Sequence, residues 1–357
     1  MAYTTINDPS AYFQTKIYTG NNTDGTQITN DGSSNLQPDW LWIKNRTDSG
    51  SSPATGGLWD SVRGFAENKV LTTFSNNLEG ANSNGFAVAT TNGFTVEDGT
   101  SGGNPRTATN LNAKNYVAWQ WKANGQGSSN TDGAITSTVS ANTTSGFSIV
   151  KWTANGANGN VVGHGLGATP QIVIYKKLTG TNDWYARING VIDGSQDYLV
   201  LNSTNGKAND SSDYPAPTNT LMTSYGYSNG SSMIAYAFAE KTGYSKFGSY
   251  VGNGNADGAF IYLGFKPAFV MVKRTDTTGN WNINDTKRDP YNRATHSLYP
   301  NLSNAENATG WFVDYVSNGF KIRDSGSEVN ASGGTYIYMA FAEAPLVGTN
   351  NIPANAR

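Results

Sequence analysis

Three segments of the chain alternate large and small apolar residues with a period of two. They are Tyr116–Ala123, Met233–Glu240 and Tyr336–Glu343. This period is typical of a β-strand that packs one face into a core, and small residues on the other face would let a second layer approach closely. The pattern predicts three strands of one kind, each closing a similar unit.

Two other patterns precede each of these closing strands. A proline leads a continuous apolar run that ends in basic residues, at Pro38–Arg46, Pro170–Lys177 and Pro267–Arg274. The proline fits a strand edge, and the run implies a strand covered on both faces. Further upstream, three opening strands lead into Asn/Gly-rich turns, at Lys16–Asn21, Ile149–Ala154 and Phe247–Asn253.

The order of these patterns repeats three times and predicts an all-β chain of three tandem antiparallel β-sandwich repeats. Asn-Gly-Phe turns at 92–94 and 318–320 support tight hairpins in the first and third repeats. No window has the periodicity of a long helix. The predicted parts are an N-terminal docking arm (1–14), repeat 1 (15–124), a flexible linker (125–145), repeat 2 (146–242), repeat 3 (243–347) and a C-terminal tail (348–357).

Composition narrows the classes of function. The 357 residues carry a formal net charge of −2, so no basic field exists to bind nucleic acid. The absence of cysteine excludes disulfides, thiolate catalysis and cysteine-based zinc sites. The first residues do not resemble a signal peptide, and no apolar run approaches the length of a membrane span, so we expect no membrane association.

Candidate catalytic residues are few. The chain has two histidines, His164 and His296, in non-equivalent positions and without a nucleophile elbow. The glutamates show no strand signature of a glycosidase. Asp-Gly pairs lack the alternating spacing of calcium loops and indicate turns. We therefore predict no enzyme, no cofactor and no metal site.

A polar pair recurs at matching positions of the first and third repeats, as Asp60 with Arg63 and Asp285 with Arg288. One interpretation is a ligand site that uses a bidentate guanidinium. The interpretation we favour is an Asp-capped turn closed by a salt bridge, because repeats preserve folding devices more readily than binding sites.

Two of the nine tryptophans, Trp184 and Trp281, lie in polar surroundings after the proline-led strands. These two are the better candidates for exposure and for stacking on a sugar. The other tryptophans lie in strand patterns and are expected in the core.

The segments Pro38–Arg46, Leu58–Gly64, Tyr116–Ala123, Gly243–Gly254 and Tyr336–Pro345 resemble a repeat family of virion structural proteins in marine tailed phages. The resemblance covers nearly the whole chain. It implies lectin-like (concanavalin-type), jelly-roll-like sandwich modules and no catalytic residues.

Two functional hypotheses follow. The first is a non-enzymatic phage virion protein on the particle surface, either a capsid decoration protein or a head or tail fibre component. It would contact other virion proteins and form a homo-oligomer, for which we expect a trimer. The second is an adhesin that binds a host surface glycan, with a glycosidase as its enzymatic variant.

Overall fold

The computed structural model describes residues 4, 6–49, 55–81, 85–99, 106–191, 196–209, 214–225, 227–349 and 353–355. Strands make up 43% of the chain and helices 3%, so the all-β prediction is confirmed. The helical elements are short. Within the described residues they are two 3₁₀ turns at Pro9–Ala11 and Glu67–Lys69 and one α-helix, α1, at Ser327–Asn330. No helix in the described ranges is long and apolar enough to cross a membrane.

The strands follow one another in three groups along the chain. The first group is β1 (Phe13–Thr19), β2 (Thr26–Thr29), β3 (Trp40–Asn45), β4 (Gly56–Asp60), β5 (Phe86–Thr90), β6 (Gly93–Glu97) and β7 (Asn115–Trp121). The second group is β8 (Ser128–Asn130), β9 (Ser137–Asn142), β10 (Phe147–Thr153), β11 (Val161–Gly163), β12 (Ile172–Lys177), β13 (Tyr185–Asn189), β14 (Gln196–Val200), β15 (Ala208–Asn209), β16 (Leu221–Thr223) and β17 (Ser232–Phe238). The third group is β18 (Ser245–Val251), β19 (Phe260–Tyr262), β20 (Phe265–Arg274), β21 (Trp281–Asp285), β22 (Val313–Val316), β23 (Gly319–Ile322) and β24 (Thr335–Pro345).

Each group builds one large and one small antiparallel sheet. Sheet 1 has the order β1-β7-β3-β4, and sheet 3 has the corresponding order β18-β24-β20-β21. Sheet 2 contains the same succession, β10-β17-β12-β13, extended by β9 and β8 at one edge and by β14 and β15 at the other. The small sheets are β2-β6-β5, β11-β16 and β19-β23-β22. In all three large sheets the opening strand therefore lies beside the closing strand, which lies beside the proline-led strand.

Small residues of the closing strands face the small sheets, as their alternation predicts. Ala118 of β7 belongs to a buried cluster with Ile28 of β2 and Phe94 of β6. Glycine at the Asn-Gly-Phe hairpins lets the strands approach, because a Cβ on Gly93 or Gly319 would lie 2.1 Å from a carbonyl oxygen of the adjacent strand. Each large sheet thus pairs with its small sheet in a sandwich-like arrangement.

The large residues of the closing strands face a different partner, a core that all three large sheets share. Its members include Trp40, Trp121, Tyr236, Phe238 and Phe341. Trp40 of sheet 1 stacks on Tyr236 of sheet 2 with 4.8 Å between ring centroids. Trp121 of sheet 1 and Phe238 of sheet 2 contact Phe341 of sheet 3 at 5.4 and 6.0 Å. The large sheets are thereby joined by one continuous apolar core.

The segment expected to be a flexible linker, 125–145, differs from that prediction because it contains β8 and β9. Both strands extend the edge of sheet 2 beyond β10. The physical reason is the period of two in Ser137–Asn142, where buried Val139 alternates with polar positions. Composition alone obscured this strand.

The predicted N-terminal arm packs against its own chain in its described part. Ile6 belongs to the shared core, and β1 begins at Phe13, so the last two residues of the predicted arm, 13 and 14, belong to this strand. Asn7 exchanges two hydrogen bonds of 2.7 Å with Thr349, which lies in the predicted C-terminal tail. The two terminal segments therefore meet.

Candidate functional site

The expectation that Trp184 and Trp281 are exposed is wrong. Trp184 is fully buried and Trp281 is 2% exposed. The indole nitrogen of Trp184 donates to the carbonyl of Thr72, and that of Trp281 donates to the carbonyl of Val200, both at 3.0 Å. Each indole is therefore an anchor between sheets, since Thr72 follows a strand of sheet 1 and Val200 ends a strand of sheet 2. Neither ring offers a face to a sugar.

The recurrent pairs form the Asp-capped turns that the sequence favours. Asp60 Oδ1 accepts from the backbone of Arg63 at 2.9 Å, and Asp60 Oδ2 accepts from Arg63 Nε at 2.5 Å. Asp285 and Arg288 repeat both contacts, at 3.0 and 2.6 Å. All four side chains are fully buried, so no guanidinium edge is presented to an external ligand.

Both carboxylates also accept a hydrogen bond from another sheet. Tyr236 of sheet 2 donates its hydroxyl to Asp60 of sheet 1 at 2.7 Å. Trp119 of sheet 1 donates its indole N–H to Asp285 of sheet 3 at 3.0 Å. The turns that sequence inspection identified as local devices therefore also join neighbouring sheets.

The position in sheet 2 that is equivalent to Asp60 and Asp285 has no polar group. Register aligns Asp60 opposite Trp40, Asp285 opposite Phe269 and Ile188 opposite Ile172, so Ile188 occupies the place of the two aspartates. In the closing strands, Met339 of β24 occupies the place of Trp119 and Tyr236. Ile188 and Met339 are 1% and 2% exposed and belong to the shared apolar core. At one of the three equivalent places, apolar side chains thus stand where the other two have a donor and an acceptor.

Three buried lysines occupy matching places near the ends of the proline-led strands. Lys44, Lys176 and Lys273 are at most 2% exposed. Lys44 donates to the carbonyl of Leu302 at 2.5 Å, Lys176 to that of Asn76 at 3.1 Å, and Lys273 to that of Thr204 at 3.1 Å, as shown by the contacts of their Nζ atoms. Each acceptor belongs to the preceding group of strands, with the third group counted as preceding the first. The three contacts therefore run from sheet 1 to 3, from 2 to 1 and from 3 to 2.

Burial lowers the pKa of these ammonium groups. It brings the pKa of Lys44 to about 7 and those of Lys176 and Lys273 to about 8. The hydrogen-bond acceptors of the three Nζ atoms in the described residues are neutral backbone carbonyls. Dipoles compensate a buried positive charge less completely than a carboxylate does, and this favours the neutral amine.

Backbone hydrogen bonds repeat at the same three contacts. Glu79 donates to Leu178 at 3.2 Å, and Lys207 donates to Thr275 at 2.7 Å. Glu306 donates to Arg46 at 2.9 Å, and their side chains form a bidentate pair at 3.0 and 2.7 Å. We call these contacts junction 1–2, junction 2–3 and junction 3–1. Each combines a buried lysine with a backbone hydrogen bond.

The carboxylate of Glu306 lies at the centre of junction 3–1. Burial alone would raise its pKa, but hydrogen bonds from Arg46 and the charge of Arg288 bring that pKa below its ordinary value. Glu306 is therefore held as an anion between two guanidinium groups. Nothing in this arrangement leaves it available as a general acid.

The histidines do not form a catalytic arrangement with a nucleophile in the described structure. His164 is buried, accepts from the backbone of Leu166 through Nδ1, and contacts the carbonyl of Thr218 through Nε2. Burial lowers the pKa of His164. His296 Nδ1 lies 2.6 Å from Asp289 Oδ1. No group of three or more acidic or histidine side chains that could hold a metal occurs within the described ranges.

Sequence inspection missed the lysines because each was interpreted only as the basic end of a strand. The available signal was their register: all three lie on the core-facing side of an apolar run, two residues after Trp42, Ile174 or Met271. A lysine at that place in a strand covered on both faces has to be buried.

A family model described as a domain of unknown function (DUF7483) matches residues 8–345. The matched region covers all of the sheets and all three junctions. No curated protein and no solved structure matches the chain.

Proposed function

Because the chain belongs to the DUF7483 family, a domain of unknown function, we propose its role from the molecule itself: a non-enzymatic structural protein of a bacteriophage virion, displayed on the particle surface. Capsid decoration and a head or tail fibre are the two places we consider. The observation that carries the proposal is the use of the buried polar side chains. Asp60, Asp285 and the three buried lysines all hold one sheet to another.

We further propose that the chain is three tandem lectin-like sandwich repeats closed into a ring. The shared strand order, the matching registers and the three junctions support this arrangement. Repeat 2 is the most altered, because it carries extra strands at both edges of its large sheet and only two strands in its small sheet. A closed ring buries the apolar faces of all three large sheets, which suits a protein without disulfides.

The ring has two different ends, and this supports attachment by one of them. The opening strands begin at the pairs Phe13–Trp121, Phe147–Phe238 and Ser245–Phe341, which lie at or near the ends of the closing strands. Both connections between groups and both terminal segments therefore leave from the same end. We propose that this end attaches to other virion proteins and that the opposite end faces outward.

Mass spectrometry of purified virions tests the assignment. We expect the chain in stoichiometric amounts in gradient-purified particles, together with binding of antibody to intact particles. Absence of the chain from such particles would refute the proposal. The predicted homotrimer is tested separately by the mass of the purified chain in solution, where a monomer would contradict it.

A glycan-binding adhesin is the second candidate. Its sugar contacts would not be Trp184 and Trp281, the residues predicted from the sequence, because both are buried. Phe260 and Tyr262 are 48% and 45% exposed on β19, with buried Ile261 between them. In the first group, β2 pairs with β6 as β19 pairs with β23 in the third group. The positions of β2 that correspond to Phe260 and Tyr262 are occupied by polar Gln27 and Thr29. Two exposed rings on one strand face suit a sugar chain. A glycan array with the unaltered chain and with Phe260→Ser tests this candidate, and binding unaffected by the substitution would contradict it.

A further inference from the structure

The opening strand of each large sheet has one row of backbone groups that faces away from the closing strand. In β1, the hydrogen bonds from Lys122 to Tyr12 and from Gly20 to Lys114 mark the even-numbered residues as those facing β7. In an antiparallel ladder the alternate residues point the other way. The N–H and C=O groups of Phe13, Thr15 and Ile17 therefore point to the outer edge of sheet 1.

In sheet 2 this outer row is filled by a strand of the same chain. Phe147, Ile149 and Lys151 of β10 are opposite Asn142, Ser140 and Thr138 of β9 in an antiparallel ladder. The added strand, Ser137–Asn142, has small, uncharged side chains.

In sheet 3 the outer row of β18 is filled by the short connection that precedes it. Ser245 exchanges backbone hydrogen bonds with Lys241 at 2.9 and 3.3 Å. The next outward N–H, that of Phe247, donates to the carboxylate of Glu240. The chain thus satisfies the beginning of this edge without a full strand.

In sheet 1 no hydrogen bond from the described residues reaches the outer row of β1. A cavity of about 390 Å³ lies there instead, and Phe13, Gln14 and Thr15 form one wall. The facing wall is a turn of the third group, with Thr286 and Lys287. The hydroxyl of Thr15, a residue only 5% exposed, has no hydrogen-bond partner within the described structure. In sheet 1, the space that corresponds to the one filled by β9 in sheet 2 is thus open.

We infer that the outer edge of β1 and this cavity bind an extended segment of a partner polypeptide, added to sheet 1 as β9 is added to sheet 2. Strand addition of this kind uses main-chain hydrogen bonds for affinity and side-chain space for specificity. An edge strand with unpaired backbone groups is a template for such pairing. The inference does not depend on the virion assignment, because it concerns only the purified chain and a peptide.

The walls of the cavity indicate the chemistry of the segment. Asp31 is paired with Lys16 and Lys287 at 3.1 and 2.9 Å. Glu343 is paired with Lys266 at 3.1 Å. The carboxylate of Asp8, the remaining charge in the lining, accepts hydrogen bonds from Ser10 and Ser34. Because each charge in the lining already has a partner, the cavity favours an uncharged segment with small side chains, as in Ser137–Asn142.

A peptide with the sequence of residues 136–143 is the direct probe. We expect saturable binding to the intact chain and slower amide hydrogen exchange at Phe13, Thr15 and Ile17. The matched control is the same peptide with Ser140→Pro, which lacks one of the N–H groups opposite the edge and should bind about tenfold more weakly, as expected for one lost hydrogen bond. The exchange measurement requires no altered protein. Amides that are already protected in the dilute, peptide-free chain would overturn the inference.

A substitution in the chain gives the second test. Thr15→Pro removes an outward N–H and leaves the ladder to β7 intact, because proline is tolerated at the free edge of a strand. We expect at least about tenfold weaker peptide binding, whereas Thr15→Val retains the backbone donor and the affinity. Equal binding by both variants would contradict the inference. Self-association of the unaltered chain that Thr15→Pro abolishes, without peptide binding, would identify a second copy as the occupant and overturn it as well.

Discussion

Junctions 3–1 and 2–3 have different kinds of side chain at equivalent buried positions. At junction 3–1, Trp119 donates to Asp285, which is also paired with buried Arg288. At the matching place in junction 2–3 are Met339 and Ile188, two hydrocarbon-rich side chains in the shared core. The difference shows that a buried charged network and an apolar pair can occupy equivalent positions. Because a buried charge without its partner is costly, we expect that the network can be retained or replaced only as a whole.

The largest effect is expected from breaking the charged network. Asp285→Ala leaves the guanidinium of Arg288 buried without the carboxylate that it contacts at 2.6 Å. We expect the free energy of unfolding to fall by about 3–5 kcal/mol, measured by chemical denaturation. The matched control in junction 2–3 is Ile188→Val, which should cost about 0.5–1.5 kcal/mol. Equal losses for the two variants would remove the distinction between the junctions.

Solution pH should act on all three junctions through the buried lysines. The folded-state pKa values of about 7 and about 8 lie below the ordinary lysine value of 10.5. Between these values the unfolded chain binds more protons than the folded chain, so stability rises with pH and is lost on acidification. Each lysine that is neutral when folded should contribute about 1.4 kcal/mol per pH unit.

Denaturation curves between pH 8 and pH 9.5 measure this slope below the ordinary titration range of tyrosine. Lys44→Met, Lys176→Met and Lys273→Met should each reduce the slope by up to about 1.4 kcal/mol per pH unit. A slope that the substitutions leave unchanged would mean that the three amines remain charged in the folded chain.

A smaller effect is expected when only the link between sheets is removed. Trp119→Phe deletes the N–H that donates to Asp285 and leaves the pair of Asp285 with Arg288 in place. The expected loss is about 1.5–3 kcal/mol, as for a hydrogen bond to a charged group. Met339→Leu at the matching place should cost less than about 1.5 kcal/mol, because it roughly conserves apolar volume. A thermal denaturation series that ranks these two variants in the opposite order would contradict the comparison.

The smallest effect is expected at the exposed ion pair near junction 3–1. Lys287 and Asp31 are 2.9 Å apart with side chains 44% and 50% exposed. Lys287→Ala should cost only about 0.2–1 kcal/mol, and added salt should diminish even that difference. A larger loss in the free energy of unfolding that does not depend on salt would mean that this pair contributes to stability as the buried network does.

The pattern of apolar residues predicts much of the fold. The three closing strands, the three proline-led strands and the Asp-capped turns at Asp60 and Asp285 all follow from local periodicity and turn chemistry. The strand at Ser137–Asn142 was not predicted, because the polar composition of the segment indicated a linker although its residues alternate. These features are local, so a single segment contains the information that specifies them.

The burial of Trp184 and Trp281 could not be predicted from their polar neighbours in the sequence. Each indole is covered by a backbone segment distant in sequence, through Thr72 or Val200. The acceptor of Lys44 is distant as well, because Leu302 is 258 residues away. Local sequence therefore gave no indication of what covers these side chains.

The sequence by itself determined the strands, their faces and the all-β class, because strand period and turn preference depend on near neighbours. Tertiary structure alone decided that the large residues of β7, β17 and β24 face one common core and which distant carbonyl groups the three buried lysines contact at the junctions. It also decided that the edge of β1 stays open while that of β10 and the beginning of that of β18 are filled. These outcomes depend on which distant segments meet, and contacts between distant segments are fixed only when the sheets pack together.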